Sequence, residues 1–212
     1  MSTKLFGVPV LRTEDPRLLR GKGQYLDDIV LPDMVHVALL RSPYAKARIR
    51  RIDTSASGKM PGVVAVIIGQ DLGDTARPFP QLLPHETLVS ATWFALAQTE
   101  VRFVGEAVAA VVAKTVAAAV EALDGIDIDW EVLSPALDLE KAAQADAPLV
   151  HEGTADNIAM RFVEKRGNVD EALHAAPHVI KERFHLTRGG GMPLEPRGVV
   201  ASYDPASKNM LV

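Results

Sequence analysis

The chain of 212 residues is long enough for one large domain or two modest ones, each with a real apolar core. Its 23 Lys and Arg against 27 Asp and Glu leave a net charge of -4, and no basic block occurs, which excludes the electrostatic footprint of a nucleic-acid binder. The absence of cysteine excludes disulfides, thiolate zinc sites, iron–sulfur clusters and a cysteine nucleophile, so any redox centre is expected on another polypeptide or a further segment.

The opening residues lack a secretory apolar core and a small-residue cleavage pattern, so a cytoplasmic location is expected. Up to about Leu31 the pattern is irregular, broken by Pro9, Pro16, Gly21 and Gly23, and reads as an extended arm. "MVHVALLRS" predicts a strand closed by Ser42-Pro43, and "ARIRRIDTS" a second strand pairing with the first. Asp53, Thr54 or Ser55 is then expected to cap a short helix ended by Pro61-Gly62. "GVVAVIIG" is a continuous apolar run between glycines and predicts a strand buried on both faces.

Pro78, Pro80 and Pro84 predict a long surface loop. "VRFVGEAVAAVVAKT" predicts a strand, a turn at Gly105-Glu106 and a second apolar strand; "VAAAVEALDGI" fits an alanine-rich helix and "DIDWEVL" a strand stopped at Ser134-Pro135. The apolar stretch 107–123 is interrupted by Lys114 and Glu121, short of the about 20 uncharged residues that a spanning helix needs. After Pro135 the composition shifts: "LDLEKAAQADAPLVHEG" reads as a helix and polar loop at a domain boundary. "IAMRFVEKRG", "VDEALHAA", "HVIKERFHLTR" and "EPRGVVASYD" then predict strand, helix, strand and strand. "NMLV" begins a strand expected to be completed elsewhere. The whole is an α+β pattern without a regular βαβ period.

Few side chains cluster as chemistry requires. His174 and His178 stand four apart, but Pro177 breaks the helix that would align them, so a surface or capping role is expected over metal ligation. Glu14-Asp15 and Asp27-Asp28 could hold a cation, yet a turn and a strand start account for them. Arg48, Arg50 and Arg51 could receive an anion, although alternation along a strand places Arg48 and Arg50 on one face, solvated or salt-bridged. No nucleophile elbow, phosphate-binding loop or dinucleotide fingerprint occurs.

The remaining candidate is "LTRGGGMPLEPRGVVASYD". Gly189, Gly190 and Gly191, between Arg188 and Arg197, either let a backbone approach a ligand such as a nucleotide or turn the chain between strands with positive φ. Glu195, between Pro193 and Pro196, is a fixed carboxylate on either reading.

Read in order, "RTEDPRLLRGKGQYLDDI", "MVHVALLRSPYAKARI", "IDTSASGKMPGVVAVIIGQDL", "LAQTEVRFVGEAVAAVVAKT" and "PLEPRGVVASYD" resemble the N-terminal part of the molybdopterin-binding large subunit of the xanthine dehydrogenase, aldehyde oxidase and carbon monoxide dehydrogenase family. The resemblance covers nearly the whole chain. It implies an extended arm at 1–19, an α/β-hammerhead domain over 20–135, and at 136–212 a linker with the incomplete beginning of the first molybdopterin-binding domain.

The implied function is that of a segment or split subunit of a molybdenum hydroxylase. Such enzymes oxidise an aldehyde, an N-heterocycle or CO with water as the oxygen source. The implied cofactor of the complete enzyme is molybdenum–molybdopterin with cytosine dinucleotide, and electrons leave through [2Fe–2S] and FAD on partner subunits. Expected partners are therefore the remainder of the molybdenum subunit, an iron–sulfur subunit and an FAD subunit.

The resemblance places the metal-side glutamine, the substrate loop and the base glutamate beyond Val212, so no catalytic or metal residue is carried onto this sequence. The chain alone is expected to be inactive and to bind no cofactor by itself. Gly189, Gly190, Gly191 and Glu195 become candidates for the entrance to the cofactor domain. The family usually has histidine where Lys46 stands, a difference expected at a surface or interface. The competing expectation is a non-catalytic interaction or assembly module derived from this family.

Overall fold

A computed structural model describes residue 7 and residues 9–81, 85–89, 93–187 and 189–212. Pro84 and Arg188 lie outside the described residues. The chain divides into two compact units, one of residues 34–177 and one that joins the segment up to 33 with 178–212.

The larger unit is built on two three-stranded antiparallel sheets. Strands β1 (His36–Arg41), β2 (Ala47–Asp53), β3 (Val63–Ile68), β4 (Glu100–Val101), β5 (Ala107–Ala113) and β6 (Asp127–Val132) are arranged as β1-β5-β3 and β4-β2-β6. In the first sheet His36 lies opposite Ala113 and Ile67 opposite Ala110; in the second, Arg48 lies opposite Glu131 and Ile52 opposite Ile128. Mixed strands and short helices give the α+β class expected from the residue pattern.

Strand β5 is central, and its sequence suits that place. Val108, Ala109, Val111 and Ala113 are fully buried, so residues on both faces are covered. Small side chains let neighbouring layers approach closely. Ala47, Ala97, Val101 and Val108 form a core against which Tyr44, Ile49, Ile52, Ile128 and Trp130 pack, and Tyr44 meets Trp130 edge to face at 5.6 Å. Helix α2, following α1 of the smaller unit (Asp15–Leu18), runs over Val116–Glu121. Thr115 starts it, its side chain accepting from the Ala118 N–H, and Ala119 is buried.

Three expectations are corrected here. Strand β2 does not pair with β1. The turn at Ser42, whose Oγ accepts from the Tyr44 N–H at 3.0 Å, carries the chain into the other sheet, where β4 and β6 occupy both edges of β2. The run "GVVAVIIG" is not doubly buried: β3 is an edge strand and Val64 is 56% exposed. The helix after β2 is a single 3₁₀ turn, Ser57–Lys59, preceded by Ala56; Asp53 instead accepts from the Ser55 N–H.

Beyond β6 the larger unit carries α3 (Leu139–Ala142), begun by Asp138, and α4 (Val169–Ala175), begun by Asn168. The strand predicted at 158–167 does not form: the Ala159 carbonyl accepts from the Val89 N–H at 2.8 Å and the Arg161 carbonyl from the Thr87 hydroxyl at 2.7 Å, but no strand pairs with the segment among the described residues, and Phe162 and Val163 stay exposed.

In the smaller unit, β7 (Ser202–Asp204) and β8 (Asn209–Leu211) form a hairpin with Ser202 opposite Leu211. "NMLV" thus finds its partner within the chain. The strand predicted over "HVIKERFHLTR" does not form among the described residues, and Ile180, Phe184 and Leu186 are exposed.

Candidate functional site

The sequence candidates fall in the smaller unit. At Gly189, Gly190 and Gly191 an added Cβ would meet nothing within 4 Å, and none has positive φ. Neither a left-handed turn nor close packing within this chain requires glycine there. Of the two readings, the positive-φ turn is therefore not what these residues provide. Their backbone lies open to an approaching group.

Glu195 has a specific partner. Its Oε1 accepts from the Leu26 backbone N–H at 2.6 Å, tying two segments 169 residues apart. Leu26 lies in the 3₁₀ turn Leu26–Asp28, which Asp28 closes by accepting from the Tyr25 N–H at 2.9 Å. A Cβ on Gly198 would overlap the Leu26 side chain, so glycine permits this docking. Between the two segments lies a cleft of about 400 Å³ whose lining includes Asp27, Asp28, Glu195 and Arg197.

Three carboxylates against one guanidinium make that cleft a poor receiver for a phosphate or a pterin nucleotide. A molybdopterin does not fit the charged residues gathered here, and no catalytic step is assigned to them. Among the described residues no group of three His, Asp or Glu could hold a metal ion. The acidic pairs are otherwise engaged: Glu14 pairs with Arg17 at 2.8 Å and Asp15 with Arg12 at 3.1 Å, while Asp27 and Asp28 belong to the 3₁₀ turn and not to a strand start. His174 closes the last turn of α4, and His178 lies outside any helix or strand.

The arginine cluster is salt-bridged, as alternation along β2 implied. Arg48 reaches Glu131 at 3.1 Å and Glu152 at 3.0 Å, Arg50 shares Glu131 at 3.5 Å, and Arg51 holds Asp53 and Asp127.

The larger unit contains a buried charged cluster that sequence reasoning missed. Lys46, expected at a surface or interface, is only 9% exposed within this chain. Its Nζ donates to the Leu149 carbonyl at 2.5 Å and lies 3.8 Å from Glu100 Oε1. Arg102 Nε lies 4.0 Å from the same carboxylate oxygen. Glu106 is 2% exposed, and its Oε2 accepts from the Arg102 N–H at 2.6 Å. Burial pushes the Glu106 carboxyl up from its ordinary value, opposed by that hydrogen bond and by the Arg102 charge. His151 is held below the ordinary imidazole value, first by burial and then by the Arg102 and Lys46 charges. The available signal was Lys46 between two alanines, and Glu100, Arg102 and Glu106 leading directly into an uncharged buried strand.

A family model for the aldehyde oxidase and xanthine dehydrogenase a/b hammerhead domain matches residues 20–134. The chain belongs to this molybdenum hydroxylase family. A model for the molybdopterin cofactor-binding domain matches residues 150–212, so the chain combines the hammerhead with the start of a cofactor-binding domain. It is 38% identical to the nicotine 6-hydroxylase large subunit of Paenarthrobacter nicotinovorans, over 96% of the chain and 25% of that protein. It is 35% identical to the carbon monoxide dehydrogenase large chain of Afipia carboxidovorans, over 91% of the chain and 25% of that protein. The crystal structure of quinoline 2-oxidoreductase from Pseudomonas putida 86 superposes with a TM-score of 0.87 at 35% identity, covering 95% of the chain and 25% of that structure. The chain thus spans about a quarter of the length of these relatives. No helix among the described residues is long and apolar enough to cross a membrane.

Proposed function

We propose that this chain supplies the hammerhead and the beginning of the cofactor-binding domain to a cytoplasmic molybdenum hydroxylase that oxidises an aldehyde, an N-heterocycle or CO with oxygen from water. The observation that carries this reading is the succession of the hammerhead and cofactor-binding matches in one chain. In the assembled enzyme the cofactor is molybdenum–molybdopterin, as its cytosine dinucleotide, and it supplies the redox chemistry. Electrons pass to [2Fe–2S] and FAD on partner subunits. We assign 1–19 to an arm, 20–135 to the hammerhead, and 136–212 to the linker and the start of the cofactor-binding domain.

By itself the chain is inactive and binds no cofactor. The acidic cleft supports this, since its charge repels the phosphate of a pterin nucleotide. Gly189, Gly190, Gly191 and Glu195 act as the entrance segment: the glycines admit a neighbouring group, and Glu195 keeps the following residues in place through Leu26.

The test is affinity purification of the tagged protein from its native cell, with metal analysis, flavin analysis and identification of released nucleotide. Recovery with molybdenum, iron, FAD and CMP supports the reading. Recovery of partners without molybdenum favours an assembly module and overturns the enzymatic role.

A further inference from the structure

We propose that Lys46, Glu100 and Arg102 form a binding site for a single buried water molecule, which joins the three charges on the reverse face of β2 and β4 and holds Lys46 at the Leu149 carbonyl. Strand pairing builds the site. Ala47 lies opposite Val101 and Arg48 opposite Glu100, and both Ala47 and Val101 are fully buried in the core. Side chains alternate along a strand, so Lys46, Glu100 and Arg102, which flank that core pair, project from the other face. There the Lys46 and Glu100 side chains are nine-tenths or more buried, and Arg102 is 24% exposed.

The polar atoms of the three side chains stop short of one another. Lys46 Nζ lies 3.8 Å and Arg102 Nε 4.0 Å from the same atom, Glu100 Oε1. A direct N–H···O bond needs about 2.7 to 3.2 Å. Among the described residues neither Glu100 Oε1 nor Arg102 Nε has a hydrogen-bond partner, although both atoms are shielded from solvent. Two charged groups left so would each carry the full cost of desolvation, and buried polar atoms are as a rule satisfied by protein or by ordered water. Nearby carboxylates are committed elsewhere: Glu106 Oε2 to the Arg102 backbone N–H, Glu131 and Glu152 to Arg48.

The chemistry of the three atoms selects the ligand. Arg102 Nε has a single proton to donate, and Lys46 Nζ keeps protons to spare after donating to the Leu149 carbonyl. Glu100 Oε1 only accepts. A molecule between them must accept from both nitrogens and donate to the oxygen, which water does, and three bonds are usual for a buried water. The two cations repel a metal ion or ammonium, and the carboxylate repels an anion. A water oxygen about 2.8 Å from Glu100 Oε1 spans gaps of 3.8 and 4.0 Å to the nitrogens. Held between the water and the Leu149 carbonyl, Lys46 then fixes the segment whose Glu152 pairs with Arg48 at 3.0 Å, where the match to the cofactor-binding domain begins.

A crystal structure of the full chain, at a resolution that places ordered waters, tests this. The expected result is a water within about 3.2 Å of Glu100 Oε1, Lys46 Nζ and Arg102 Nε together. A direct contact between Glu100 and either cation, a water that reaches only one of the nitrogens, or an ion in its place would overturn the proposal. Magnetic relaxation dispersion of the water signal gives the solution counterpart. The double variant Lys46→Met with Glu100→Leu removes the buried pair as a whole and should lose about one long-lived water per chain. An unchanged count in that variant would also overturn the proposal. Should the variant not fold, the crystal structure of the unmodified chain decides.

Discussion

Lys46 and Glu100 form a buried ion pair across β2 and β4: the nitrogen lies 3.8 Å from the oxygen, and the side chains are only 10% and 6% exposed. The separation is too long for a good hydrogen bond, and Glu100 Oε1 has no hydrogen-bond partner among the described residues. Such a pair adds little net stability, yet losing one member leaves the other in a low-dielectric interior with weaker compensation, Glu100 with Arg102 at 4.0 Å and Lys46 with the Leu149 carbonyl.

Lys46→Met should accordingly destabilise the chain by about 3 kcal/mol, and Glu100→Gln by a similar amount. The double variant should be less destabilised than the sum of the two. Urea denaturation followed by circular dichroism gives the coupling, and strict additivity would show that the two charges do not depend on each other.

Glu106→Gln tests the cost of a buried carboxylate. Its folded-state pKa lies above the ordinary 4.5, raised by burial, so the cost sets in as pH rises from 4.5 and is full above the raised value. As pH falls through that window, the wild type should gain stability relative to the variant. Denaturation midpoints at neutral and mildly acidic pH check this, and a pH-independent gap would contradict it.

Val111→Ala, in fully buried β5, should cost about 2 kcal/mol through lost burial and a residual cavity. Val64→Thr, on an edge strand at 56% exposure, should change stability by less than about 0.5 kcal/mol. Comparable losses at both positions would refute the central placement of β5.

Glycines should divide by what surrounds them. Gly125→Ala would bring a Cβ within 2.8 Å of the Ser57 backbone and should cost about 1 to 3 kcal/mol. Gly190→Ala meets nothing and should leave the unfolding of this chain unchanged within about 0.5 kcal/mol. In the molybdenum enzyme proposed above, the same Gly190 variant should lower molybdenum occupancy or activity if the triple glycine admits a neighbouring group. Full occupancy and full activity would remove that role.

The sequence determined the local elements of this protein. Alternation in "HVALLR", the uncharged run of β5, Thr115 before α2, Asp138 before α3 and Asn168 before α4 each act through contacts within a few residues, and each marks a strand or helix that forms. Ordered motifs along the chain were also enough to identify the family. Tertiary structure decided which strands pair, because an edge accepts whichever strand the connecting turn delivers to it. It therefore sent β2 to β4 and β6, left β3 at an edge, and left Phe162 and Val163 exposed in a segment that joins no sheet among the described residues. It alone brought Lys46, Glu100, Arg102, Glu106 and His151 together and tied Glu195 to Leu26, since charges far apart in sequence gain their surroundings only when the chain packs.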